Sequence, residues 1–237
     1  MQYLGLFHRS ILPSLFLFLT VLLSGHSNQV AQAAQPDHYV PAPNLRLYFT
    51  GIAGSDGVKF TKTVVTAKLD GEDLITAADT QLTYFEYSRD PSQRTPVDAS
   101  ADNLMVWRYD WDENKNIRLV KLAGNRRNPE AFLIPSSLQK GTRWNTPWGR
   151  KREIVEEDAT VETPAGRFEH CLVIDYDIQA GSTWNERHYF APGLGLVKIL
   201  SYHGPKTITG VSWLDLHRIE PLPAADAQAI VTQMLES

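Results

Sequence analysis

"RFEHCLVIDYD", Arg167 to Asp177, is the stretch whose reading decides the fold. At a period of two, Phe168, His170, Leu172, Ile174 and Tyr176 fall on one face, while Arg167, Glu169, Cys171, Val173, Asp175 and Asp177 fall on the other. Its aromatic and β-branched residues favour a strand, and the first face is apolar enough to be buried while the second faces water. A long antiparallel sheet with one apolar face must curl, close on itself or be covered by a helix.

The next segment outward, "ERHYFAPGLGLVKI" from Glu186 to Ile199, contains the one stretch that looks like a ligand motif, Gly193-Leu194-Gly195. A dinucleotide fingerprint needs a third glycine and a helix starting at once, so that the helix N-terminus faces the pyrophosphate. Here Leu196, Val197, Lys198 and Ile199 follow instead, a strand composition. Pro192 presets its own φ and Gly193 accepts a positive one, so the pair predicts a type II turn between two strands, with Gly195 permitting a close approach or a kink.

Toward the N-terminus the same composition repeats. Leu45–Ile52, Val58–Leu69, Thr80–Ser88, Asn103–Trp111 and Asn116–Ala123 read as strands, separated by turn residues at 54–57, 70–71, 112–114 and 124–125. Connections this short force antiparallel neighbours, because a parallel crossover needs about a dozen residues. Lys59, Thr61 and Thr63 point one way, yet the opposite set does not alternate cleanly, which predicts a bulge near Lys62. Ser88–Asn103 is polar and contains proline, so it reads as an exposed loop or linker. One helix is expected, Ala224–Leu235, after Pro221 and Pro223, with Ile230, Val231, Met234 and Leu235 as a modest apolar stripe that packs on a sheet edge or frays as a tail. The fold class is therefore all-β, mostly antiparallel: a curled sheet or partly open barrel or sandwich with a C-terminal helix.

Ile11 to Leu23 is an almost unbroken apolar run behind Arg9, followed by small and polar residues that end in Ala31-Gln32-Ala33. That pattern predicts a signal peptide over residues 1–33, cleaved after Ala33 or one residue later. The competing anchor reading suffers from a run short of the roughly 20 apolar residues a bilayer span requires. Residues 34–237 then form a single β-rich domain with no transmembrane anchor after cleavage, located in the periplasm or secreted. With 23 basic and 27 acidic residues the balance is mildly acidic, which argues against a nucleic-acid partner. The basic run Arg143–Arg152 reads as a solvated hairpin end, since Glu153, Glu156 and Glu157 follow it. Cys171 is the only cysteine, so no intramolecular disulfide is available, and its strand setting predicts a buried, inert thiol.

Thr163–Ile174 and Glu186–Ile199 together resemble the closing hairpins of the TapB-like bacterial extracytoplasmic proteins, a family of largely unassigned function, and "LIPSSLQKGTRW" from Leu133 to Trp144 is similar to that family's proline-then-KGxxW element. The resemblance spans Leu133–Ile199, about a third of the mature chain, and implies a β fold and an envelope location without transferring a catalytic residue.

No Gly-x-Ser-x-Gly elbow occurs, and the carboxylate pairs at Glu156-Glu157-Asp158 and Asp110-Trp111-Asp112 fit solvation better than acid–base chemistry. His170 and His188 are the candidate metal ligands, since antiparallel strands can juxtapose distant histidines, with His203 and His217 as further strand histidines. Glu186 and His188 form a same-face acid and histidine pair at two-residue spacing. Trp107, Tyr109 and Trp111 alternate on one strand face and are the candidate ligand-binding residues, with Tyr84, Trp184, Tyr189 and Trp213 on other strands. These features point to an exported, non-catalytic binding or interaction module of the cell envelope, without a cofactor, taking a small hydrophobic, glycan or peptide ligand or an envelope protein. The rival is a hydrolase or metal-dependent enzyme drawing His170 and His188 from separate strands; a structural component of a surface assembly is a third reading.

Overall fold

The computed structural model describes residues 35–53, 58–69, 73–85, 96–98, 104–123, 131–146, 151–177, 184–203 and 211–236. Ala34–Ser237 forms one compact unit, to which all the described residues belong. The expected leader lies outside the described residues, as does most of the loop expected over Ser88–Asn103.

This unit begins with a short 3-10 turn, Pro36–Tyr39, and continues through β1 (Leu45–Ala53), β2 (Val58–Leu69), β3 (Asp73–Phe85), β4 (Pro96–Asp98), β5 (Met105–Trp111), β6 (Ile117–Ala123) and β7 (Ala131–Ile134). Then come β8 (Arg143–Asn145), β9 (Lys151–Thr163), β10 (Gly166–Asp177), β11 (Trp184–Ala191), β12 (Gly195–His203), β13 (Val211–Pro221) and, as the one α-helix among the described residues, α1 (Ala224–Glu236). All the strands belong to one antiparallel sheet in the order β7-β6-β5-β3-β2-β1-β13-β12-β11-β10-β9-β8, with β4 added beside β3, and the sheet does not close into a barrel. The strand read at Thr80–Ser88 starts earlier, at Asp73.

The sheet rolls so that its own strands cover one another. On β10, Cys171 and Val173 join a cluster with Leu47 and Phe49 of β1, Phe60 and Val64 of β2, and Leu214 and Leu216 of β13. Leu172 and Ile174 join a second cluster with Leu74 of β3, Ile117 of β6, Ile134 of β7 and Phe190 of β11. From Cys171 to Ile174 both faces of β10 are thus dry, against the expectation of one buried face: these four residues are at most 1% exposed. A strand covered on both sides reads as a continuous apolar run, and "CLVI" is that run.

A third cluster explains the irregular pattern of β2. The pairing of β2 with β1 and with β3 runs without a register shift, so the bulge expected near Lys62 is absent. Phe60 and Val64 face the first cluster throughout, but Val65 and Ala67 on the opposite face meet Ala227 and Val231 of α1, together with Ile75, Ala77 and Val106. The sequence pattern changes where the helix begins to cover the second face, with the backbone remaining regular. Accordingly α1 lies across a face of the interior strands β2, β3 and β5, not on an edge and not as a loose tail. The Gln228 amide donates to the Lys68 carbonyl at 2.9 Å, and Asp226 in the first turn complements the positive end of the helix dipole.

The segment leading out of the 3-10 turn straps the β11–β12 hairpin. The Gly193 N–H donates to the His38 carbonyl (2.6 Å), and the Ala42 N–H to the Gly193 carbonyl (2.7 Å). Gly193 takes a positive φ, 69°, as the turn reading requires, and Gly195 takes one of 70°. Gly195 also supplies the close approach: a Cβ there would stand 2.9 Å from Cδ of Pro41. Tyr39 and Val40 are buried in the second cluster, completing it from outside the sheet.

Candidate functional site

Glu186 and His188 lie two residues apart on β11 and so share a face, the pairing visible in the sequence. On β10, Tyr176 stands directly opposite Glu186, and Ile174 opposite His188. On β9, Arg152 stands opposite the same Tyr176. Diagonal neighbours on adjacent strands are within reach of long side chains, and here they meet. The His188 imidazole stacks on the Tyr176 ring with centroids 3.7 Å apart and planes 20° from parallel. The Arg152 guanidinium lies 4.2 Å from the centroid of that ring. Because β9 and β11 flank β10, the phenol is held between a cation and an imidazole.

His188 Nε2 is hydrogen-bonded to Glu186 Oε2 at 2.7 Å. Burial pushes the imidazole below its ordinary value of 6.5, with Arg152 acting in the same sense; the Glu186 bond and Asp175 oppose it. Burial likewise raises the Tyr176 hydroxyl, although the Arg152 charge works to lower it. On the reverse face of the same strands, Arg187 makes a two-pronged contact with Asp175 (2.7 and 3.0 Å), a geometry that fixes the register of β10 against β11. The basic run read as solvated is therefore split: Arg143 is exposed and paired with Glu153 (2.9 Å), but Arg152 is buried in the stack.

His170 does not join His188. Pairing between β9 and β10 jumps from Phe168 to Cys171, leaving Glu169 and His170 in a bulge, where His170 has a φ of 57°. The bulge takes its side chain off the Leu172 face and out to solvent, where Nδ1 meets Asp158 Oδ1 at 2.7 Å with both side chains three-quarters exposed. The Tyr39 hydroxyl donates to the His170 carbonyl (3.2 Å), bracing the bulge from the strap. Along the strand, position 170 is four residues from Ile174, the partner of His188, or about 13 Å at the usual rise. Among the described residues no three His, Cys, Asp or Glu side chains converge in a metal-binding arrangement.

Trp107, Tyr109 and Trp111 do share a face of β5, opposite Lys121, Leu119 and Ile117 of β6. They differ in exposure. Tyr109 packs on the second cluster, and burial pushes its hydroxyl up to about 12. Trp107 is half-buried, and Trp111 is 39% exposed. Tyr109, Tyr176 and Trp144 all border the second cluster, so the aromatic face of β5 and the polar stack of β9–β11 are two rims of one apolar interior. Arg152 and Tyr176 were not marked as site residues by the sequence. The signal available was the Arg152–Tyr176 and Tyr176–Glu186 register, which exists only once the strands are paired. The side chains of Tyr84, Trp184, His203 and Trp213 lie outside the described residues, whereas Tyr189 is half-buried against the first cluster and His217 is exposed.

Cys171 is fully buried, and burial raises its thiol to about 11, which keeps it protonated and unreactive at neutral pH. A separate depression of about 430 Å³ lies among Thr50, Ile52, Lys59, Phe60, Thr61 and Asp215, away from the stack.

No family model matches the chain, so the TapB-like resemblance stands as an expectation, and no curated protein matches it either. Two crystal structures are similar in outline. One is of a Bacteroides fragilis protein named for its inferred export and YmcC-like fold, with 15% identity, 76% of this chain and 97% of that one covered, and a TM-score of 0.45. The other is of an inferred lipoprotein from Parabacteroides distasonis, with 14% identity, 77% and 98% covered, and a TM-score of 0.41. At these scores neither likeness carries an argument about this chain.

Proposed function

We propose that the chain is an exported, non-catalytic binding module of the bacterial cell envelope, and that its ligand meets the rim where the β5 aromatics and the Arg152–Tyr176–His188–Glu186 stack border one cluster. The leader-like sequence of residues 1–33 supports the export half of this reading. The observation that carries the binding half is the shared rim: aromatic faces and a few oriented polar groups around an apolar interior are what small-molecule, glycan and peptide sites use. Native mass spectrometry of protein purified from its own host tests it. The expected result is a retained small-molecule mass that a Trp107→Ala/Trp111→Ala variant loses while keeping its fold; a bare polypeptide mass from both proteins would count against the reading.

One observation favours the hydrolase alternative. A histidine oriented by a carboxylate at 2.7 Å is the arrangement of a general base. Against it stand the stacking of that ring on Tyr176 and the separation of His170. A broad hydrolase screen comparing the native protein with His188→Gln distinguishes the two, since activity lost in a folded variant supports the enzyme.

A further inference from the structure

We propose that the Arg152–Tyr176–His188–Glu186 stack is an acid-sensitive fastening of the rolled sheet: proton uptake by His188 weakens the packing of β9, β10 and β11 against the strands that roll over them. The geometry behind this is the position of the imidazole. Its side chain is 12% exposed, it lies flat on Tyr176, and it extends the face that carries Ile174 and Phe190 into the second cluster. With Nε2–H donating to the Glu186 carboxylate, Nδ1 makes no hydrogen bond among the described residues, so an added proton arrives at a nitrogen that meets no described protein acceptor.

The groups that face the ring decide the sign. On its own strand stands Glu186; from β10 comes Tyr176, with Asp175 acting from the reverse face of that strand, and from β9 comes Arg152. β12 presents Ile199 opposite His188 and Ser201 opposite Glu186, and the cluster beyond presents Leu74, Ile117, Ile134 and Leu138, none of them charged. Glu186 and Asp175 favour the imidazolium. Burial and Arg152 oppose it, and burial is the largest of these influences, so the folded protein holds the proton less readily than the unfolded chain does. A group with a depressed folded value withdraws stability as the pH falls from its ordinary value of 6.5 toward the lower folded value, and contributes its full stability above that window. One proton taken up preferentially by the unfolded chain raises the unfolding constant by up to about tenfold per pH unit in that interval. A protein in the envelope meets the acidity of the medium, so this interval is one it would encounter.

Two measurements test the fastening. Urea unfolding of the purified protein between pH 7.5 and 5 is compared with His188→Gln, whose amide retains a donor for Glu186 but does not titrate. The native midpoint is expected to fall more steeply below pH 6.5 than that of the variant; parallel curves overturn the proposal. Should the variant fail to fold, the imidazole resonances of His188 in the native protein decide alone: titration below 6.5 supports the fastening, and titration at or above it overturns it. Neither readout involves a ligand, so their outcome is independent of the binding proposal.

Discussion

Two four-residue runs, Val64–Ala67 on β2 and Cys171–Ile174 on β10, are buried on consecutive positions, and they are buried by different means. On β10 both covers come from strands of the same sheet, brought round by its rolling. On β2 one cover is the sheet and the other is α1, a thirteen-residue helix at the far end of the chain. The runs differ in composition accordingly. The β10 run uses Cys, Leu, Val and Ile, whereas the β2 run ends in Thr66 and Ala67, with Thr66 Oγ1 accepting from the Leu45 N–H (3.0 Å) and donating to the Ala42 carbonyl (2.7 Å). An alanine facing a helix lets the helix approach closely, and a threonine is tolerated in a dry site because both of its hydrogen-bonding roles are filled. A run of buried residues therefore says that two covers exist without saying what they are.

The comparison is broken most forcefully on β10. Ile174→Ala removes atoms from the second cluster, a site closed by strands of the same sheet whose neighbours have little freedom to collapse. It is expected to cost about 4 kcal/mol in urea unfolding. A loss below about 1 kcal/mol would mean that the face carrying Ile174 is open. On the helix side, Val231→Ala removes two methyl groups from a cover that can shift toward β2, and the expected cost is about 2 kcal/mol with the β signature of circular dichroism preserved. A loss equal to that of Ile174→Ala would erase the distinction between the two covers.

The smallest effect concerns the strap, the third cover, which closes the second cluster through Tyr39 and Val40. Gly193→Ala and Gly195→Ala both force an L-residue to a φ near 70°, costing about 1 kcal/mol each. Only Gly195→Ala also drives a methyl group against Pro41, whereas a Cβ at Gly193 meets open space. Gly195→Ala is expected to be the worse by about 1 kcal/mol. Equal losses would mean that the strap does not bear on the hairpin.

Much of the sheet was legible. Residues such as Leu45–Ile52, Val58–Leu69 and Asn116–Ala123 carry their strand signal in their own composition, and the Pro192–Gly193 turn carries its geometry in two adjacent residues. The site was legible only along a single strand: Glu186 and His188 share a face because they are two residues apart. Tyr176 and Arg152 stand 12 and 36 positions from His188, and no local rule relates them. His170 was assigned to the wrong side because alternation holds until a bulge interrupts it, and the bulge at Glu169–His170 depends on how β9 pairs with β10, braced by Tyr39 from the strap.

Residue order by itself determined the ladder of antiparallel strands, the closing helix and the inert thiol, because alternation, turn chemistry and composition act over a few neighbouring positions. Only the tertiary structure decided that Cys171–Ile174 of β10 is dry on both faces, that α1 lies across β2, and that an arginine, a tyrosine and a histidine from three strands form one stack. Those outcomes rest on contacts between segments far apart in the chain, and such contacts are set by how the sheet rolls.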